Sequence, residues 1–213
     1  MIGGVSSQDL YSYCEQQSQQ QSDLLAELYR ETHLKTLKPR MASGPLQGRL
    51  LSFISKLQQP RHIVEIGTFT GYATLCLAEG LVEGGHITTI EVNPELSHIS
   101  NKYFTKSQWA GQITAVVGDA LTEIDNLQSG IDLVFIDAKK RDYQQYYDLL
   151  LPKVKAGGII LADNILWDGK VLDAKPDRTT KAIIDFNSYV QADARVTNMI
   201  LPLRDGVNII MKS

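Results

Sequence analysis

The chain has 213 residues, which fits a single domain, because domains usually hold about 100–200 residues. Hydrophobic residues make up 43% and charged residues 21% of the sequence, a balance that allows a buried core and excludes disordered and fibrous classes. The net charge is -3 and the basic residues are scattered, which argues against a nucleic-acid or anionic-membrane partner and leaves a small molecule as the expected one.

Cysteine usage and the N-terminal sequence predict a cytoplasmic protein. Cys14 and Cys76 form no CxxC pair and have no zinc-like spacing, so we expect neither a disulfide framework nor a structural zinc site. The first residues lack the basic and apolar regions of a signal peptide, and no apolar run approaches the roughly 18 residues of a membrane span. We therefore expect a soluble, unprocessed chain in a reducing compartment.

Residues 8–58 are predicted to be helical, because apolar residues recur along them at steps of three and four. The recurring residues are Leu24, Leu25, Leu28, Leu46, Leu50, Leu51, Ile54 and Leu57. Residues 41–45, which include Gly44 and Pro45, are expected to interrupt the helices. Residues 15–23 contain five glutamines, which we interpret as a solvated helix face rather than a low-complexity segment.

From residue 61 onward, short β-rich runs alternate with segments of helical length. Five runs cover residues 62–66, 87–91, 113–117, 131–137 and 158–163, and two more cover residues 196–201 and 207–211. Continuous apolar strands separated by helices are typical of a parallel sheet covered on both faces. The connection between the last two runs is too short for a crossover helix, so these runs should pair antiparallel. The sequence predicts an α/β fold with a mostly parallel sheet of seven strands.

The first strand runs into a glycine-containing turn, Gly67 to Gly71, that opens a helix. In the dinucleotide-binding pattern GxGxxG, further glycines would stand where this chain has Phe69 and Tyr72, so a pyrophosphate would fit poorly. S-adenosylmethionine has adenosine and an amino-acid tail but no phosphate. A looser GxxxG turn suffices for it, and the backbone amides of the turn can receive its carboxylate.

Acidic residues at the next two strand ends support a bound nucleoside. Glu91 ends the second strand about 20 residues beyond the turn, where a carboxylate accepts hydrogen bonds from both ribose hydroxyls. Asp119, just before Ala120, closes the third strand and is predicted to lie beside the adenine. An equal alternative for Asp119 is that it caps the next helix. The turn and Glu91 together predict a cofactor site.

Asp137 and Asp163 each end an apolar strand, and ligands of open α/β sheets bind outside these carboxyl ends. If the two strands are neighbours, their ends lie roughly 5 Å apart, and two carboxylates that close repel unless a cation or proton lies between them. Asn164 adds a neutral oxygen. Three hard oxygen ligands suit magnesium, or similarly calcium or manganese, and the alternative is a pair of helix caps.

Lys140 follows Asp137 by three residues, close enough to reach back over a metal. A nearby divalent cation and partial burial would both lower the pKa of Lys140 and turn it into a general base. Lys139 and Arg141 are neighbouring alternatives, and lysines are more often surface charges.

Four segments together resemble the cation-dependent O-methyltransferases, which include catechol and caffeoyl-CoA O-methyltransferases and their bacterial relatives. They are residues 63–74, 135–140, 161–167 and 201–206, and the resemblance extends from about residue 41 to the C-terminus. It implies a Rossmann-like class I methyltransferase fold in which residues 1–213 form one domain. Helices in residues 1–58 would shape the acceptor pocket, and residues 61–213 would form the α/β core. A homodimer through the N-terminal helices is also implied.

The resemblance implies a role for each candidate residue. Lys140 matches the family's catalytic base, and Asp137, Asp163 and Asn164 match its metal ligands. Met41, Glu65, Gly67, Tyr72 and Glu91 match cofactor contacts, and with Gly71, Asp119, Ala120 and Asp137 they form the predicted cofactor site.

The sequence departs from the family pattern in three places. Ala73 stands where the family often has a serine hydroxyl near the cofactor. Arg204 replaces a commonly small residue beside Asp205, and we interpret it as a solvated loop cation rather than a substrate contact. Residues 1–40, which help to shape the acceptor pocket in the family, match only weakly. The resemblance therefore says least about the identity of the acceptor.

The expected reaction is methyl transfer from S-adenosylmethionine to one hydroxyl of a small aromatic vicinal diol, of the catechol or hydroxycinnamoyl type, held by a divalent cation. Trp167, Met41, Tyr143 and Tyr146 are candidate walls for the aromatic acceptor, although large apolar residues more often belong to the core.

Three other functions are weighed against this one. A nicotinamide-dependent oxidoreductase is disfavoured by Phe69 and Tyr72 in the turn. A nucleic-acid methyltransferase would need a basic patch. A non-catalytic module that binds S-adenosylmethionine needs neither a metal site nor a base. The intact set of such residues argues against it, namely Asp137, Lys140, Asp163 and Asn164.

Overall fold

The computed structural model describes residues 7–213. The longer helices are α1 (Ser7–Gln17), α2 (Asp23–Lys35), α3 (Gly44–Gln58), α4 (Tyr72–Ala78), α5 (Ser97–Lys106), α6 (Ala120–Glu123), α7 (Tyr143–Leu150) and α8 (Arg178–Ala192). The strands are β1 (His62–Ile66), β2 (His86–Glu91), β3 (Ile113–Val117), β4 (Ile131–Ile136), β5 (Val154–Asp163), β6 (Val196–Leu201) and β7 (Val207–Lys212).

All seven strands form one sheet in the order β3-β2-β1-β4-β5-β7-β6. The first five strands are mutually parallel, and β7 runs antiparallel to both β5 and β6. The predicted α/β class, the mostly parallel sheet and the antiparallel pairing of the last two strands are confirmed. β4 lies beside β5 with Ile136 paired to Ala162, which places the residues that follow them next to each other.

Two apolar layers cover the sheet. On one face, α7 and α8 pack Tyr143, Tyr147 and Phe186 against alternate strand residues. On the other face, α2 to α5 pack against the opposite set of alternate residues, with Leu51 and Tyr103 fully buried. Because both faces are covered, the central strands are apolar at nearly every position, as the sequence pattern predicts.

The N-terminal region differs from its predicted outline. The glutamine-rich residues 15–23 are not one helix face, because α1 ends at Gln17 and α2 begins only at Asp23. The side chain of Gln20 donates to the backbone carbonyl of Glu15, and the hydroxyl of Ser18 donates to that of Cys14. Such local side-chain bonds compete with the helical pattern and end α1. The second interruption, residues 36–43, begins before the predicted break and includes a short 3-10 turn at Pro39–Met41.

None of the helices formed by residues 7–213 combines the length and hydropathy that a membrane span requires.

Candidate active site

The carboxyl ends of the parallel strands open onto two adjoining cavities. The first has a volume of about 470 Å³ and lies over the ends of β1, β2 and β3. The second has a volume of about 1010 Å³ and lies over the ends of β4 and β5. Met41, Asp137, Ala138 and Lys139 line both, so the two cavities meet at the end of β4.

The glycine turn after β1 forms part of the floor of the first cavity. Gly67 has φ of +101°, and a Cβ atom there would lie 2.0 Å from the carbonyl oxygen of Asp137, so only glycine fits. Gly71, with φ of +88°, is packed against the ring of Phe104 behind the turn and does not line the cavity. Tyr72 and Ala73 both line it.

Glu91 is oriented by the turn that it faces. Its carboxylate accepts hydrogen bonds from the backbone N–H groups of Phe69 and Asn93, each at 2.9 Å, and the residue lines the first cavity. The side chain is therefore held where the sequence places a ribose-binding acid, and the ribose contact itself stays a prediction.

Asp119 caps a helix, one of the two interpretations that the sequence left open, and the other stays a prediction. Its side chain accepts a hydrogen bond from the backbone N–H of Leu121 at 3.0 Å and so caps α6. Asp119, Gly118 and Ala120 also line the first cavity, across from the glycine turn. A capping role and a cofactor contact are therefore compatible.

Glu65 lies behind the cavity wall and does not line it. The side chain is fully buried, and the hydroxyls of Thr74 and Thr89 donate to its Oε2 atom. Burial raises the pKa of Glu65 to about 8, against the opposing effect of the two threonine hydroxyls. Its Oε1 atom has no hydrogen-bond partner within the part of the chain that the structure describes.

The predicted metal ligands Asp137, Asp163 and Asn164 all line the second cavity. Asp163 is 2% exposed; its Oδ2 atom accepts a hydrogen bond from Gln47 Nε2 at 2.7 Å, and its Oδ1 atom accepts one from the backbone N–H of Asn164 at 2.8 Å. Burial and the neighbouring Asp137 carboxylate raise the pKa of Asp163 to about 7.

These three residues suit a divalent cation by their donor chemistry. Two carboxylates and an amide oxygen are hard ligands, and the charge of Asp137 opposes ionisation of Asp163, a conflict that a bound cation would relieve. No group of three or more His, Cys, Asp or Glu residues suited to a metal occurs in residues 7–213, so any cation here depends on the asparagine oxygen or on water.

Lys139, Lys140 and Arg141 all line the second cavity, but only Lys140 contacts Asp137. The Nζ atom of Lys140 lies 2.8 Å from Asp137 Oδ1 and 2.7 Å from the hydroxyl of Tyr143. Lys139 is instead 70% exposed and paired with Asp142, while Arg141 donates to the hydroxyl of Thr179.

The contacts of Lys140 within the chain act against the expected lowering of its pKa. Burial does act in that direction, but the charge of Asp137 and the contacts with Tyr143 outweigh it and raise the pKa of Lys140 above its ordinary value. The expected lowering assumes that the Asp137 carboxylate binds a cation, whereas here the carboxylate pairs with Lys140.

The four candidate walls of the acceptor pocket have different positions. Met41 and Trp167 line the second cavity, as predicted, and Tyr146 lines the first. Tyr143 is fully buried, and its hydroxyl lies within hydrogen-bonding distance of the carbonyl oxygens of Ile136 and Asp163 and of Lys140. Tyr143 is therefore a support for Lys140 rather than a wall.

Two residues that contact the site were missed or misinterpreted from the sequence. Gln47, on α3, reaches Asp163 from far away in the chain, and no local motif marks it. Arg204 is exposed, as expected of a solvated loop cation, but its guanidinium also donates to the backbone carbonyls of Arg40, Ala42 and Ser43, and it lines the second cavity. Only the tertiary fold brings these residues together.

Comparison with known proteins agrees with this geometry. Residues 15–213 match the family model described as O-methyltransferase. The caffeoyl-CoA O-methyltransferase of Stellaria longipes is 32% identical over 96% of this chain and 90% of its own. The SAH-bound methyltransferase PaMTH1 of Podospora anserina has a TM-score of 0.91 and 26% identity, over 100% of this chain and 97% of its own. An O-methyltransferase of Bacillus cereus in complex with SAH has a TM-score of 0.88 and 27% identity, over 96% of this chain and 97% of its own.

The family model spans nearly the whole described chain, and the relatives and solved structures are aligned over almost their full lengths. The chain therefore belongs to the O-methyltransferase family.

Proposed function

We propose that this enzyme transfers the methyl group of S-adenosylmethionine to one hydroxyl of a small aromatic vicinal diol, with a divalent cation at Asp137, Asp163 and Asn164. The two adjoining cavities carry the proposal. One is lined by several of the residues predicted to bind the cofactor, the other has hard oxygen ligands and a lysine, and they meet at Asp137. A donor and an acceptor bound in them would face each other, as direct group transfer requires.

The first cavity supports S-adenosylmethionine as the donor. The turn at Gly67 brings backbone to the cavity, and Glu91 and Asp119 line it, where they would contact the ribose and the adenine. The solved structures of the two related methyltransferases contain SAH, the product that remains when S-adenosylmethionine loses its methyl group.

The second cavity supports a diol acceptor. Asp137, Asp163 and Asn164 would hold the cation, which supplies positive charge that acidifies a neighbouring hydroxyl and competes with Lys140 for Asp137. Magnesium suits these ligands best, with calcium or manganese as alternatives. Met41 and Trp167 would flank the aromatic ring.

In the proposed reaction, the acceptor oxygen attacks the methyl carbon of the sulfonium in line. The O–C bond forms, the S–C bond breaks with its electron pair going to sulfur, and the hydroxyl proton passes to Lys140 Nζ. Tyr143 holds Nζ in place by a contact of 2.7 Å. Lys140 would be deprotonated only when Asp137 is otherwise engaged, because their pairing raises its pKa.

Membership of the O-methyltransferase family rules out the nicotinamide-dependent alternative. A binding module without turnover is disfavoured. Lys140 is buried beside Asp137 at the acceptor cavity, and burying a lysine costs free energy that cofactor binding alone does not require.

The proposal is tested with a matched acceptor series. Caffeic acid and its two monohydroxy analogues, which keep only the 3- or only the 4-hydroxyl, are assayed with labelled S-adenosylmethionine and magnesium, and again with excess EDTA. We expect clear methylation of the diol, much weaker methylation of both monophenols, and loss of turnover with EDTA. Equal rates across the series would refute chelation of the diol, and full activity in EDTA would refute the cation.

A further inference from the structure

Arg204 fastens the loop between β6 and β7 to the segment that separates the two cavities. It lies at φ of +50°, a backbone region that costs energy for a residue with a side chain. Its Nη1 atom donates to the carbonyl oxygen of Ala42 at 2.9 Å and to that of Ser43, and its Nη2 atom donates to that of Arg40 at 3.1 Å. The strained backbone is thus held in place by the contacts of its own side chain.

The guanidinium of Arg204 also sets the orientation of the buried side-chain amide of Gln47. Nη1 shares its two N–H groups among the carbonyl oxygens of Ala42 and Ser43 and Gln47 Oε1, which lies 3.2 Å away, and guanidinium groups donate hydrogen bonds without accepting them. The oxygen of Gln47 must therefore face Arg204, which turns its NH₂ group toward Asp163, where Nε2 lies 2.7 Å from Oδ2. Gln47 is 1% exposed, so the amide has no solvent to satisfy an alternative orientation.

We propose that Arg204 and Gln47 are positioning residues that orient the Asp163 carboxylate toward the acceptor cavity. This inference rests on the proposed function, because it concerns the cation that Asp163 would hold. Asp163 Oδ2 is held by Gln47 and Oδ1 by the backbone N–H of Asn164, so the plane of the carboxylate is set from both sides. Partners that fix a metal ligand in this way typically contribute about 10–100-fold to metal affinity.

Arg204 has a second effect that Gln47 does not share. The carbonyl groups that it binds belong to residues 40–43, and residues 41–43 line the first cavity while residues 40 and 41 line the second. Removing the guanidinium frees this segment as well as the amide, whereas removing the Gln47 amide leaves the segment anchored. The two residues can therefore be separated by experiment.

The test uses Arg204→Met, Gln47→Met and the double variant. Arg195→Met is the matched control, because Arg195 is an exposed arginine paired with Asp193 at the start of β6. Two properties are measured on each purified protein: Mn²⁺ affinity without acceptor, by electron paramagnetic resonance of the free ion, and the rate of tryptic cleavage after the exposed Arg40.

We expect Arg204→Met and Gln47→Met each to weaken Mn²⁺ binding about tenfold or more. The double variant should bind no more weakly than the weaker single variant, because Arg204 acts on Asp163 through Gln47. Cleavage after Arg40 should accelerate in Arg204→Met alone, and the control should match the wild type in both measurements. Additive losses of Mn²⁺ affinity in the double variant would contradict action through Gln47.

The design separates failure of this inference from failure of the proposed function. If the wild type binds Mn²⁺ and methylates diols, and the Arg204 and Gln47 variants bind Mn²⁺ as tightly as it does, the positioning role is wrong while the function stands. If the wild type binds no Mn²⁺, the cation site itself is wrong and the inference falls with it. Melting temperatures identify a variant that has lost its fold, and Arg204→Lys, which keeps the charge but lacks the fork of donors, then serves as the milder replacement.

Discussion

Lys140 is distinguished from its neighbours by burial and by two short contacts. Its side chain is 9% exposed and lies between Asp137 and Tyr143, whereas Lys139 projects into solvent. Replacing Lys140 with alanine should lower the rate of methyl transfer by about 10²–10⁴-fold, the usual contribution of a positioned general base. Single-turnover rates with labelled S-adenosylmethionine check this. Lys139→Ala is the control, and equal losses in the two variants would show that Lys140 is misassigned.

Glu65 gives the protein a pH dependence of stability. Its pKa rises from an ordinary value of 4.5 to about 8 because the carboxyl is buried, so the folded state holds the proton more tightly than the unfolded state. The resulting stabilisation is complete below about pH 4.5 and is lost as the pH rises toward about 8, by at most about 1.4 kcal/mol per pH unit.

Glu65→Gln, a neutral isostere, should remove this contribution. Urea unfolding of the wild type and the variant between about pH 5 and pH 8 isolates it, because all other titrating groups are shared. We expect the variant to gain stability relative to the wild type as the pH rises. A difference that stays constant with pH would mean that Glu65 does not titrate in this range.

The side chains of the candidate site could be predicted from the sequence, but their hydrogen-bond partners could not. Asp137, Asp163, Asn164 and Lys140 were named because they follow strand ends, a position that local pattern reveals. The pairing of Lys140 with Asp137 and Tyr143 depends on the geometry of a 3-10 turn at Lys140–Asp142, which no periodicity encodes.

At the scale of elements, the glycine turn links two strands of the sheet. The Cβ of any residue at position 67 would lie 2.0 Å from the backbone of Asp137, so the turn after β1 fixes the end of β4. Gly67→Ala should therefore abolish SAH binding, because the backbone under both cavities must shift. Isothermal titration calorimetry with SAH measures it.

Gly84→Ala is a control with matched backbone. Gly84 also has a positive φ, +69°, but nothing lies within 4 Å of its Cβ position. An alanine at either position strains the backbone, but only the Cβ atom at position 67 would collide with another segment of the chain. Gly84→Ala should therefore keep its SAH affinity. Loss of binding in both would point to strain rather than to close approach.

Strands were predicted to within a few residues, and helices less well. The apolar strand runs are unambiguous because burial on both faces leaves few polar interruptions, and β1 and β3 match their predicted bounds. β5 begins at Val154, earlier than predicted. Lys155 and two glycines near its start interrupt the apolar pattern from which the strand was predicted. The break after α1 was not predicted, because glutamine has a good helix propensity. In the structure, the side chain of Gln20 bonds to the backbone instead, and the helix ends.

At the scale of the whole molecule, the two cavities predict variants with opposite effects. Asp163 lines only the second cavity and Asp119 only the first. Asp163→Ala should abolish turnover and leave SAH affinity nearly unchanged, whereas Asp119→Ala should weaken SAH binding and leave Mn²⁺ binding unchanged. Calorimetry with each ligand checks the pair. Loss of both affinities in either variant would contradict two separable sites.

The homodimer, the division at residue 58 and the cytoplasmic location stay predictions. Phe53 and Leu57, on the outer side of α3, are 67% and 75% exposed, which is compatible with a partner on the N-terminal helices. Sedimentation equilibrium tests the dimer directly, and a particle with the mass of one chain would contradict it.

The placement of β7 between β5 and β6 has a consequence for how the protein is made. On the ribosome, β6 emerges before β7, yet β6 is joined to the sheet through β7. The edge of β5 therefore stays open while residues 164–206 are synthesised, and an open strand edge invites wrong pairing with another chain. When β7 arrives, Val207 pairs with Asp163 and the loop that carries Arg204 closes over residues 40–43. The strand order therefore leads us to expect that the acceptor side of the nascent enzyme is completed only after β7 has joined the sheet.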